Sequence, residues 1–286
     1  MPDERLTKND RRELAREQAR LAREKQKRSE QRRRWLIPTG VTVGVVAIAA
    51  VVVLVVSGSA PAPQTAAGPK NMITDGILFT GEGGTATHVS TSALKPQQTP
   101  SPAATPASGV KQIVSYVDWS CPSCQAFEET NAAFITAQVA AGKATLEVRP
   151  VAILNRLYNG SQYSQRSNNA AACVANFAPD SFLKVQQAMY LKQPSEQSSG
   201  LTDSQIINVV HGAGLNNPEV DKCIRGLSFT SWVTAATNRF TSNSALANPT
   251  TGQLGTPTVL VDGHVYTGTL DDPSAFERFF ANPTAG

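Results

Sequence analysis

The chain has 286 residues, 41% of them hydrophobic and 17% charged, which is enough for one large domain or two small ones. Its formal net charge of +4 is unevenly spread: residues 1–34 carry thirteen Lys or Arg against seven Asp or Glu, a net of +6, whereas residues 57–286 carry thirteen against fifteen, a net of −2. The folded part therefore has no basic excess, which argues against nucleic acid as a partner.

Residues 1–34 mix Arg, Lys, Glu, Gln and Ala with little apolar stripe beyond Leu14 and Leu21, while Glu24 and Arg28 make a favourable i,i+4 pair. They read as a solvated helix or a disordered tail, with binding to anionic headgroups as the alternative. Residues 35–56, Trp35 to Val56, hold no charge and are dominated by Val, Ala and Ile. As a helix they reach about 33 Å, enough for a transmembrane span. A cleavable signal peptide ending near Ser59-Ala-Pro-Ala62 is the closest competitor, but its leader would be unusually long, so the segment reads as an uncleaved single-pass anchor. Arg32, Arg33 and Arg34 abut its start, which keeps the N-terminus cytoplasmic and sends the rest out, to a cell-membrane-bound extracytoplasmic position. All four cysteines lie beyond the span, in a compartment that permits disulfides.

Residues 57–109 read as a linker. Ser57 to Lys70 is rich in Ala, Pro and Gly, Ile77 to Phe79 suggests a short strand, and Lys95 to Gly109 contains Pro96, Pro100, Pro102 and Pro106. The folded core begins near Val110. Lys111 to Val117 is a near-continuous apolar run suited to a strand covered on both faces, Pro122 to Ala141 turns helical with Gly142 as its stop, and Ala144 to Leu154 is strand-like again. A helical block follows: Arg166 to Phe177, Asp180 to Lys192, a capping box of Thr202 and Gln205, a short helix from Asn217-Pro218 to Gly226, and an apolar face at Phe229, Val233, Ala236 and Phe240. Strands resume at Gly255 to Val261, turn at Asp262-Gly263 and return through His264 to Thr267, before a last helix over Asp271 to Ala281. The order is βαβ, helical insertion, ββα, which predicts an α/β fold with halves at 110–157 and 248–286 around an insertion at 158–247.

Chemistry concentrates at Cys121-Pro-Ser-Cys124, where the first strand passes into the first helix. Pro122 suits the first helical position, where its fixed φ fits and its missing N–H is not needed. Cys121 then precedes the first turn, whose unpaired N–H groups and dipole favour a thiolate, and Cys124 stands one turn on to close a disulfide. Half of a zinc site and a small structural loop are the rival readings. Zinc wants a second close pair, yet Cys173 and Cys223 lie far apart and His88, His211 and His264 stand alone, so the stretch reads as a redox dithiol that needs neither metal nor cofactor. Thr256-Pro257 alone would be an ordinary strand-entry proline.

Taken together, Cys121-Pro-Ser-Cys124 after a strand, the all-helical insertion and Gly255-Thr256-Pro257-Thr258 resemble the thioredoxin superfamily over residues 110–282, and within it the DsbA-like thiol-disulfide oxidoreductases of the actinobacterial, membrane-anchored kind. The resemblance implies a thioredoxin fold with an inserted helical domain, catalysis by Cys121 and Cys124, and support from Pro122, Ser123, Thr256, Pro257 and Asp118. It also implies a cis Thr256–Pro257 bond beside the active cysteines and a structural Cys173–Cys223 bridge. The expected activity is introduction of disulfides into exported cysteine-containing proteins by a monomer, with reoxidation by a DsbB-like or vitamin K epoxide reductase-like membrane partner. A membrane-fed reductase or isomerase and a non-enzymatic thioredoxin-like binding module are the alternatives. Two departures stand out. Ser115 occupies the place of the family's buried acid, leaving Asp118 either to handle the Cys124 proton or to be a solvated loop charge; and Ser123 replaces the histidine of DsbA, which implies a milder oxidant.

Overall fold

Seven residues from Lys111 to Val117, all at least half-buried, form the strand from which the rest of the architecture is laid out. The computed structural model describes residues 64–284; the basic tail 1–34 and the apolar segment 35–56 lie outside them. Among the described residues no helix is long and apolar enough to cross a membrane. In chain order the strands are β1 (Ile77–Glu82), β2 (Thr85–His88), β3 (Lys111–Val117), β4 (Ala144–Pro150), β5 (Thr258–Val261) and β6 (His264–Val265). The helices are α1 (Pro122–Ala140), α2 (Tyr163–Phe177), α3 (Phe182–Leu191), α4 (Asp203–Gly212), α5 (Pro218–Arg225), α6 (Thr230–Thr241) and α7 (Pro273–Ala281).

The strands make one sheet in the order β2-β1-β4-β3-β5-β6. β3 and β4 run parallel with Ile113 opposite Leu146, joined by α1 as a βαβ crossover, and β5 runs antiparallel to β3 with Ser115 opposite Val259. The pleat sends alternate side chains of β3 to opposite faces. Ile113 and Val117 join the main core under α1 and α3, whereas Val114 and Tyr116 join Val151, Phe240 and Leu246 under α6. Ser115 shares the α1 side. α7 packs on α1 through edge-on aromatic pairs, Phe127 with Phe276 and Phe134 with Phe280.

Local chemistry explains the element ends. α1 stops where Gly142 takes φ +68°, with the Gly142 N–H on the Val139 carbonyl and the Lys143 N–H on the Gln138 carbonyl, the paired bonds of a Schellman cap. Thr202 and Gln205 cap α4 reciprocally, as the spacing predicts. Asp262 and Gly263, both at positive φ, make the tight turn between β5 and β6. β4 ends at Pro150, short of the expected Leu154, because proline has no N–H for the ladder. Five helices, α2 to α6, lie between β4 and β5 and form the helical insertion.

The stretch read as a linker differs from expectation. Within 57–109, β1 and β2 extend the sheet, with Ile77 opposite Val148 and Phe79 opposite Leu146 on β4. Met72, Ile77, Phe79 and Leu94 are buried, and Asp75 takes a two-pronged bond from Arg239 at 2.5 and 2.7 Å. The hairpin turns on Gly83 and Gly84, both at positive φ. Gly81 permits close packing: a Cβ there would sit 2.3 Å from the Val139 carbonyl oxygen of α1. Lys95 to Gly109, with its prolines, contains no helix or strand.

Candidate active site

The carboxyl end of β3 delivers the chain into a tight turn, with the Cys121 N–H on the Asp118 carbonyl, and Cys121 becomes the N-cap residue of α1 with Pro122 behind it. The backbone of Cys121 is extended, and Pro122 and Ser123 are exposed. Cys121 and Cys124 are both buried and both free thiols in this structure. Opposite them, the Thr256–Pro257 peptide bond is cis and the Thr256 carbonyl accepts a hydrogen bond from the Cys121 sulfur at 3.3 Å. The structure therefore brings Cys121, Cys124, Thr256 and Pro257 together from two ends of the sequence.

The two sulfurs are electrostatically unequal. Cys121 is held below the ordinary thiol value, first by the hydrogen bond that the Cys124 thiol gives it and then by the Thr256 hydroxyl and the Cys124 backbone N–H, against opposing burial and the Asp118 charge. Burial pushes Cys124 well up, and the neighbouring Cys121 thiolate pushes it further. One sulfur is thus a ready nucleophile and leaving group while the other keeps its proton. Because Cys124 is the leading cause, Cys124→Ala is expected to raise the Cys121 pKa, and iodoacetamide alkylation of Cys121 followed against pH will show its midpoint moving upward.

Asp118 is not a solvated charge. It is fully buried, and its two carboxylate oxygens accept five hydrogen bonds: from the Ser120 N–H and hydroxyl, the Asn168 amide, the Ile153 N–H and the Ser164 hydroxyl, at 2.6–3.0 Å. Burial pushes its pKa up while these donors pull it back. Its hydrogen bond to a cysteine comes from the backbone, the Asp118 N–H lying 3.5 Å from the Cys124 sulfur. Asp118 is thereby the clamp of the active-site loop, tying it to α2 of the insertion through Ser164 and Asn168. Tyr158 reinforces the clamp by donating to the Ser120 carbonyl at 2.5 Å, and Gln193 donates to the Trp119 carbonyl at 3.2 Å.

Ser164, Asn168 and Tyr158 escape the sequence reading. The one available signal is that Ser164 and Asn168 recur at i,i+4 on a helix that is otherwise Ala-rich, placing two polar side chains on one face. Cys173 and Cys223 form a disulfide between α2 and α5, with Cα atoms 5.8 Å apart. His88 bonds to Asp180 and His211 to Asp221, and among the described residues no three His, Cys, Asp or Glu gather.

Comparison with known proteins places this fold in a family. The family model described as thioredoxin matches residues 106–280. The chain belongs to the thioredoxin family. Within that family its fold is similar to DsbA of Mycobacterium tuberculosis in its reduced form (21% identity, TM-score 0.50, covering 73% of this chain and 100% of that one). It is also similar to oxidised BdbD of Bacillus subtilis (16%, 0.51, 77% and 98%) and to DsbA of Chlamydia trachomatis (18%, 0.50, 66% and 99%). Among curated proteins none matches the sequence. In this thioredoxin-family chain, β3 presents at Ser115 a hydroxyl, not a carboxylate, on the α1 side of the sheet.

Proposed function

We propose that the chain is a thiol-disulfide oxidoreductase of the DsbA type that introduces disulfides into exported proteins from an extracytoplasmic position, anchored by residues 35–56. The observation that carries the reading is the unequal pair itself, a Cys121 held toward thiolate at the start of α1 and a buried, protonated Cys124 one turn on. Stabilising the Cys121 thiolate stabilises the reduced enzyme, and that makes the oxidised enzyme an oxidant.

In the oxidised enzyme a substrate thiolate attacks the Cys121 sulfur, the Cys121–Cys124 bond breaks, and Cys124 leaves with the electron pair and takes up a proton. A second substrate thiolate then attacks the substrate sulfur of the mixed disulfide and expels Cys121 as a thiolate, so two electrons pass from substrate to enzyme. The half-buried Gly255-Thr256 backbone beside Cys121 offers an extended substrate segment its pairing groups. Reoxidation falls to a DsbB-like or vitamin K epoxide reductase-like membrane protein. The anchor reading is supported by 22 uncharged residues preceded by three arginines, and the oxidising compartment by a formed Cys173–Cys223 bridge.

Trapping tests the reading. In cells, Cys124→Ala is expected to accumulate mixed disulfides between Cys121 and exported proteins, seen as adducts that vanish on reduction. Their absence would favour a binding module with an inert disulfide. Glutathione titration of the wild-type pair sets the direction: a potential as reducing as that of thioredoxin, about −270 mV, defeats the oxidase reading and leaves a reductase.

A further inference from the structure

Cys124 must gain or lose a proton each time the disulfide opens or closes, yet it is buried, and both oxygens of the Asp118 carboxylate are already engaged by five donors. Ser115 brings no titratable group to the α1 side of β3. Glu128 stands one turn beyond Cys124 on α1, facing α3. Its carboxylate accepts a hydrogen bond from Gln186 of α3 at 3.1 Å, and Gln186 in turn accepts from the Trp119 indole at 3.0 Å, which fixes the acid against the active-site loop. Two further observations surround it. The Tyr190 hydroxyl of α3 is buried with no hydrogen-bond partner, and the charges that reach it most strongly are those of Cys124 and then Glu128. A half-open cavity of about 530 Å³ runs between α1, α3 and the sheet, lined by Ser115 and Glu128 together, and it is roomy enough for water.

We propose that Glu128 exchanges the proton of Cys124 with solvent, through the Tyr190 hydroxyl and water admitted by the cavity, in place of the acid that β3 lacks at Ser115. When Cys124 leaves as a thiolate, the protonated Glu128 supplies its proton. In the reverse step the Glu128 carboxylate takes the proton of the Cys124 thiol as that sulfur attacks the Cys121 sulfur of a mixed disulfide and expels the other thiolate. Burial pushes the Glu128 carboxyl up and Tyr190 further above its usual value, so the first trades protons nearer neutral pH while the second stays a neutral donor. The ionisable groups around Glu128 are Cys124 on its own helix and Tyr190 and Lys184 on α3. The strands show the cavity only Ser115, Leu146 and Val148.

The inference rests on the redox reading above and is tested so that the two fail separately. Reduced full-length protein, its Cys173–Cys223 bridge intact, is mixed with 5,5′-dithiobis(2-nitrobenzoate). The first thionitrobenzoate released reports attack by Cys121, and the second reports closure by Cys124. In Glu128→Gln the first phase is expected to keep its rate while the second slows roughly 10- to 100-fold at pH 7. That deficit shrinks as pH rises, because hydroxide replaces the lost base. Glu128→Asp, which keeps an ionisable group, is expected to slow the second phase at pH 7 less than Glu128→Gln does. A second phase unchanged in Glu128→Gln, a deficit equal at every pH, or equal slowing in Gln and Asp variants overturns the inference. A wild-type protein that never releases the second thionitrobenzoate overturns the redox reading instead.

Discussion

Asp118→Ala is expected to lower the unfolding free energy by about 3–5 kcal/mol, because it strands buried donors that have no water to turn to. The five groups come from the loop itself, from the segment after β4 and from α2, so their loss loosens three parts of the chain at once. Urea denaturation followed by far-UV circular dichroism measures the difference directly. A loss below about 1 kcal/mol, the size of an exposed hydrogen bond, would show that the clamp contributes little. Asp118→Asn keeps the shape and one acceptor but turns an NH2 group toward donors, so its loss should be intermediate.

The second large effect concerns the bridge between α2 and α5. Cys173 and Cys223 are 50 residues apart, and opening a loop of that length costs on the order of 4 kcal/mol in the chain-entropy account. For a domain of this size that corresponds to a fall in Tm of roughly 8–16 °C in the Cys173→Ala/Cys223→Ala double variant. Dithiothreitol should lower the wild-type Tm by the same amount and leave the double variant unmoved. A shift smaller than about 3 °C would mean that α2 and α5 are held by packing alone. Asn169 links the bridge to the start of α6, its amide 3.7 Å from the Cys173 sulfur and its side-chain oxygen accepting the Phe229 N–H at 2.8 Å.

What the sequence makes legible here is whatever is decided by neighbours along the chain. Pro122 at the head of α1, Gly142 at its end, the Thr202–Gln205 box and the Asp262-Gly263 turn each act within a few residues, and each is where the pattern puts it. Of the β1–β2 hairpin only the strand at Ile77 to Phe79 is legible, although Gly83-Gly84 between two short runs is itself a turn signal. The partners of Asp118 and the setting of Glu128 are hidden for a different reason. Nothing adjacent to Asp118 announces donors arriving from positions 153, 164 and 168, and nothing but the packing of α3 separates the half-buried Glu128 from the exposed Glu129 beside it. The sites of greatest chemical interest are those where a polar residue is enclosed by parts of the chain that are remote in sequence.

The outer borders of the sheet bear on the protein's resistance to aggregation. One border is the four-residue β2 and the other the two-residue β6, stubs too short to template an incoming strand along their length. A long open border would collect nascent chains indiscriminately and seed precipitates. With both rims trimmed, the sheet itself offers an extended chain little to pair with, and the Gly255-Thr256 backbone beside Cys121 is left as the half-buried stretch next to the sulfurs.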